Sequence, residues 1–159
     1  MAISGVYPID PDGQGEFDVW CDMENGGFTV IQRNSANTTE SFKRTWEEYK
    51  AGFGNMSKEF WLGNEKIHRI TSAMNVILHI SMVYQGNTGT ASYTSFFVAS
   101  EQNKYRLSVT GYSGTAGDSF NVANNGKTGF VLNECRRRYG QGHGHFASFV
   151  RLSACLLNY

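Results

Sequence analysis

Hydrophobic and polar positions alternate from residue 17 to residue 33, FDVWCDMENGGFTVIQR. Phe17, Val19 and Cys21 stand between polar neighbours, Glu24-Asn25-Gly26-Gly27 interrupts them, and Phe28, Val30 and Gln32 resume the period of two. The pattern predicts a β-hairpin. The next segment, TWEEYKAGFG, changes period: Trp46 and Tyr49 lie three apart, as on one helical face, and Gly52 is placed to end the helix in a left-handed cap. In GNEKIHRIT, Asn64 is the expected N-cap, Glu65 falls in the first turn, and Ile67 and Ile70 share a face. Residues 76–84, VILHISMVY, alternate again and predict a strand. QGNTG is a turn, TASYTSFFV a returning strand, and KYRLSVTGY a third with Tyr105, Leu107 and Val109 on one side. Hairpins with two short helices between them predict an α+β fold around an antiparallel sheet.

Composition narrows the function. A chain of 159 residues is expected to form one domain, residues 1–159. Its 14 basic and 14 acidic residues cancel, so no global field steers it to nucleic acid or to an anionic membrane. No apolar run approaches the length of a membrane span, so membrane insertion is not expected. The start, MAISGVYPIDPDG, shows no charged segment followed by an apolar one, so no signal peptide is visible. No Ser-His-Asp spacing stands out, and GYSGT lacks the G-x-S-x-G elbow, which leaves no catalytic residue to name. His79 fits a hydrogen-bonded or outward strand position better than a catalytic one. His68 is expected to face solvent, and Asp118 in AGDS to accept loop N–H groups.

Three stretches together resemble the C-terminal globular domain of the fibrinogen family: SGVYPIDPDGQGEFDVWCDMENGGFTVIQR, TWEEYKAGFGNMSKEFWLGNEKIHRIT and YRLSVTGYSGTAGDSF. They occur in order and span residues 4–126. The resemblance implies a secreted, extracellular, disulfide-bonded recognition module without catalysis. It agrees with the residues themselves: Gly52, Gly54 and Gly63 suit turns, and Phe60, Trp61 and Leu62 suit a buried wedge. Members of the family bind acetylated sugars, cell-surface receptors or matrix proteins. Lectin-like binding of microbial or acetylated glycans, in innate immunity, is the first expectation. A structural or receptor-binding module of the tenascin and angiopoietin kind is the alternative.

The last part of the chain departs from that family. Residues 127–159 form a divergent tail with a truncated C-terminal subdomain. No Asp-x-Asp run follows Asp118, and Trp20, Trp46 and Trp61 all lie early. The family's calcium and sugar-contact residues therefore have no counterparts to carry over, and neither a metal site nor a cofactor is expected. Only Glu134 is acidic after Asp118, beside Arg136, Arg137 and Arg138. Cys135, His143 and His145 are ligand types suited to zinc, but C-x7-H-x-H matches no standard spacing. The three arginines lack the interleaved aromatics of a nucleic-acid patch. Read one nucleotide later, residues 130–133 can encode Ser-Phe-Ser-Thr and the following Arg and Gly codons can encode Asp. A changed frame, a splice variant and divergence all remain open as origins.

FASFVRLSACLLNY admits two periods: Val150, Leu152, Ala154 and Leu156 suit a strand, whereas Phe146, Phe149 and Ser153 suit a helix face. The sheet core of Val19, Val30, Leu78, Ile80 and Leu107 is expected to persist. The tail is expected to be less ordered, so that deleting residues 131–159 costs little. With three cysteines, one is free or paired elsewhere. The resemblance implies that Cys21 has a partner preceding SGVY and missing from this chain, which leaves Cys135 and Cys155 as a candidate pair. Asn37 and Asn55 begin N-glycosylation sequons. Asn37 is the favoured site, and Asn55 is expected to serve the turn before FWLGN.

Overall fold

A computed structural model describes residues 3–35, 39–128, 146–153 and 155. The chain runs β1 (Gly5–Ile9), β2 (Phe17–Asp22), β3 (Phe28–Asn34), α1 (Trp46–Ala51), β4 (Phe53–Gly54), β5 (Phe60–Trp61), α2 (Asn64–Ala73), β6 (Val76–Tyr84), β7 (Asn87–Val98), β8 (Leu107–Gly114), α3 (Ser119–Asn124) and β9 (Phe146–Leu152). The strands form one antiparallel sheet in the order β1-β2-β3-β9-β6-β7-β8, with β5 also paired to β3 and to β4. This is the α+β fold expected from the sequence.

Local sequence explains most elements. The hairpin of β2 and β3 forms around Gly26 and Gly27, both at positive φ, and its alternation buries Val19 and Cys21 completely. Gln85 and Gly86, at φ 48° and 79°, close the β6–β7 hairpin in two residues, so the expected turn QGNTG is shorter than predicted and Asn87, Thr88 and Gly89 already belong to β7. Helix α1 begins with a capping box in which Thr45 and Glu48 satisfy each other's backbone N–H groups. Gly52 does follow α1 at positive φ, but its ψ of 157° is extended rather than left-handed helical. The conformation is required because Gly52 crosses the chain entering α2: a Cβ there would overlap the Leu62 and Trp61 carbonyls, and one on Gly63 would overlap Ala51. The cap of α2 also differs from expectation. Gly63 takes the N-cap position, while Asn64 is the first helical residue and is buried.

The core contains every residue proposed for it: Val19, Val30, Leu78, Ile80 and Leu107 are buried. Phe60, Trp61 and Leu62 form the expected wedge, held by Trp61 Nε1 donating to the Tyr49 carbonyl and Leu62 N donating to Ile31.

Strand β9 overturns the expectation for the tail. It lies between β3 and β6, pairing Leu152 with both Thr29 and Leu78, and Val150 with both Gln32 and Ile80. Val150 and Leu152 are completely buried, and Ser148 accepts a hydrogen bond from buried Gln32 at 2.7 Å. The strand period therefore wins over the helical one. A central strand satisfies backbone groups on both its neighbours, so removing it cannot be cheap.

The disulfide expectation is also overturned. Cys21 is bonded to Cys155, with Cα atoms 5.7 Å apart, and is not orphaned. The sheet register is the cause: Cys21 stands opposite Thr29, Thr29 opposite Leu152, and the chain leaving β9 returns toward β2, where Cys155 N donates to the Gly27 carbonyl. Cys155 is thus unavailable to Cys135, which lies outside the described residues.

Candidate functional site

Alternation gives the sheet two faces. One carries the buried core. The other carries Trp20, Phe28, Arg33, His79, Ser81, Val83, Ser92, Phe149 and Arg151, which are half-buried or exposed. Cross-strand pairing sets the rows of this outward face: Trp20, Arg151, His79 and Ser92 in one, where the β3 member, Val30, is completely buried next to a register irregularity, and Arg33–Phe149–Ser81–Thr90 in the next.

Rings and guanidinium groups interleave along it. The Arg33 guanidinium lies 4.9 Å from the Trp20 ring, 5.3 Å from Phe149 and 5.8 Å from Phe60. Arg151 lies 4.7 Å from Phe28 and 5.2 Å from the same Phe149. His79 meets Phe28 edge-on at 5.1 Å. Each arginine–ring contact contributes on the order of 0.5–2 kcal/mol, rising with desolvation.

Polar partners then fix the two arginines. Arg33 donates to the Met56 and Lys58 carbonyls at 2.9 and 3.2 Å, which ties β3 to the turn between β4 and β5. Burial disfavours the charged form of Arg33, while Asp22 and Glu59 support it. Arg151 pairs with Asp22 at 3.2 Å, and Asp22 also accepts from Asn25. The Arg151 Nε is buried with no hydrogen-bond partner among the described residues. Beside this stack, Arg33, Ser35, Ser81, Val83, Ser148 and Phe149 border an open groove of about 400 Å³. Charge, flat aromatic surface and hydroxyl groups in one place suit recognition of another surface.

The other singled-out residues have structural work. His79 Nδ1 is 2.9 Å from Ser92 Oγ, as its strand position suggested. Burial, reinforced by the Arg151 charge, holds the His79 pKa below the usual histidine value. His68 departs from expectation: it is half-buried, and its Nδ1 lies 2.8 Å from the Val98 carbonyl, linking α2 to β7. Asp118 has the expected structural role through different donors, accepting from the Tyr93 hydroxyl and the Asn121 amide, both at 3.0 Å. Asp10 and Asp12 are occupied by Arg69, whose side chain also donates to the Gly15 carbonyl. Among the described residues no group of three or more His, Cys, Asp or Glu is placed to hold a metal ion. No helix among them is long and apolar enough to cross a membrane. Asn37, Glu134, Cys135, Arg136, Arg137, Arg138, His143 and His145 lie outside the described residues. Asn55 is exposed at the start of the turn between β4 and β5.

The sequence reading missed the outward face. A signal was present, since Trp20 and Arg33 occupy the positions between inward residues. What it lacked was Phe149 and Arg151, which reach the face only through the placement of β9.

Comparison with known proteins agrees with this architecture. The family profile described as "Fibrinogen beta and gamma chains, C-terminal globular domain" matches residues 1–145. Human Fibroleukin is 48% identical over 120 residues, covering 73% of this chain and 27% of that protein. Human Angiopoietin-related protein 7 is 44% identical over 130 residues, covering 77% of this chain and 37% of that protein. The chain thus spans well under half the length of these curated relatives. Among solved structures, the fibrinogen-like globe domain of human ANGPTL2 aligns with a TM-score of 0.77 at 28% identity, covering 94% of this chain and 92% of that one. Lamprey fibrin D-dimer, solved with the peptide Gly-His-Arg-Pro-amide, aligns with a TM-score of 0.67 at 37% identity, covering 72% of this chain and 38% of that one. The chain belongs to the family of the fibrinogen β and γ C-terminal globular domains.

Proposed function

We propose that this non-enzymatic fibrinogen-like module works outside the cell and binds a protein partner, a receptor or a matrix component, through its outward sheet face. The observation that carries the reading is the stack of Trp20, Arg33, Phe149 and Arg151 beside the groove at Ser81 and Val83. Tryptophan and arginine are the residue types over-represented where protein interfaces concentrate their energy. Here they are held in place by packing, which lowers the entropy lost on binding. The Cys21–Cys155 disulfide supports an oxidising, extracellular setting. Among relatives, kinship to Fibroleukin and to angiopoietin-type proteins supports the receptor or matrix alternative. Glycan capture, the first expectation from sequence, has no support from these relatives.

Val83 tests the reading because it is 42% exposed and is not part of the stack. The chain is presented to receptor-displaying cells and to immobilised matrix proteins, with and without acetylated sugars as competitors. Val83→Glu is expected to abolish specific retention while leaving the unfolding midpoint unchanged. Retention that survives Val83→Glu, or that acetylated sugars remove, overturns the reading.

A further inference from the structure

We infer that Asn55 is an N-glycosylation acceptor that the folded module carries without strain. The turn Asn55–Glu59 joins β4 to β5. In it Asn55 N donates to the Glu59 carbonyl at 2.9 Å and Lys58 N donates to the Asn55 carbonyl at 2.8 Å. The Asn55 side chain uses one end only: Oδ1 accepts from Ser57 N at 2.8 Å. Its Nδ2 donates to no described residue, and Asn55 and Ser57 are both exposed.

This division matters because glycosylation consumes only the nitrogen end. Nδ2 forms a bond to the anomeric carbon of an oligosaccharide, the bond from that carbon to its lipid-pyrophosphate carrier breaks, the carrier leaves with the electron pair, and Nδ2 gives up one proton. The product is still an amide, with its carbonyl oxygen free to keep the Ser57 N–H bond. The turn and the sugar therefore do not compete. The sequence suggested that a turn role for Asn55 would count against glycosylation, but the structure makes the two compatible. The glycan would root beside the outward face, because the Met56 and Lys58 carbonyls of this turn are the ones that hold Arg33.

Glycosylation requires passage through a secretory compartment, so the inference rests on the extracellular reading above. The test separates them by adding a secretory leader to the full chain in a eukaryotic host and mapping secreted protein by peptide mass before and after enzymatic deglycosylation. Asn55→Asp keeps an oxygen for Ser57 N but removes the acceptor nitrogen. Ser57→Ala destroys the sequon and leaves Asn55 in place. The expected result is glycan on the Asn55 peptide of the wild type, none at that site in either variant, and unchanged unfolding midpoints in both. A folded, secreted wild type with a bare Asn55 peptide overturns the inference and leaves the partner-binding reading standing. So does glycan that persists on the Asn55 peptide in Ser57→Ala, since it would then not depend on the sequon.

Discussion

The two sides of strand β9 meet opposite requirements. Inward, Ser148, Val150 and Leu152 are buried between β3 and β6. Outward, Phe149 and Arg151 remain half-buried and engage Arg33, Phe28 and Asp22. Residues one step apart thus serve stability on one side and a recognition surface on the other. The lesson is that a single short strand joins the core to the candidate site, so its loss removes both.

The largest effect follows from deleting residues 146–159. Chemical denaturation of the shortened chain, followed by circular dichroism, is expected to show no cooperative transition, since β3 and β6 lose the strand that joins them. A cooperative transition near that of the full chain would show that the sheet closes without β9. Within the strand, Leu152→Ala is expected to cost about 2–5 kcal/mol, the range for emptying a packed leucine site.

The disulfide comes next. Cys155→Ser, with Cys21→Ser as its companion, is expected to lower stability by about 2–5 kcal/mol, the usual cost of losing a native bridge. Both variants are compared with the wild type in urea, with and without reductant. Reductant should shift the wild type and leave the variants where they are.

On the outward side, Phe149→Ala removes the ring shared by Arg33 and Arg151. A loss of about 1–3 kcal/mol is expected from the two cation–π contacts and part of the packing, less than for Leu152. Partner binding should fall more than stability does. If Phe149→Ala destabilises as much as Leu152→Ala, the two faces do not divide the work as described.

The smallest effect is on pH dependence. Burial and the Arg151 charge lower the His79 pKa in the folded state. The unfolded chain therefore binds this proton at higher pH than the folded one, and stability rises with pH across that interval. The His79 contribution is complete above the ordinary histidine value of about 6.5 and is lost progressively as pH falls from there toward the folded value. Denaturation midpoints measured from neutral pH downward should fall less in His79→Gln than in the wild type. Equal slopes would show that His79 does not report the environment of the outward face.

Legibility followed the range of the interactions. The β2–β3 and β6–β7 hairpins could be read because Gly26, Gly27 and Gly86 supply the backbone freedom next to alternating strands. The face of α2 that buries Ile67 and Ile70 was legible from their spacing. Its first residue was not, because the tight crossing of Gly52 and Gly63 displaced Asn64 from the cap. His68 was misplaced for a similar reason: only the arrival of β7 supplies the Val98 carbonyl beside it.

By itself, the sequence determined which segments alternate, which turn, and which side of each early strand is apolar, since these depend on neighbours within a few residues. It also determined family membership through residues that carry those same local demands. Tertiary structure alone decided that β9 sits between β3 and β6, that Cys21 meets Cys155 across 134 residues, and that Trp20, Arg33, Phe149 and Arg151 form one surface. The physical reason is that strand pairing is made by backbone groups common to all residues, so many partners satisfy the local pattern equally. The choice among them is made by the simultaneous burial of side chains far apart in the chain.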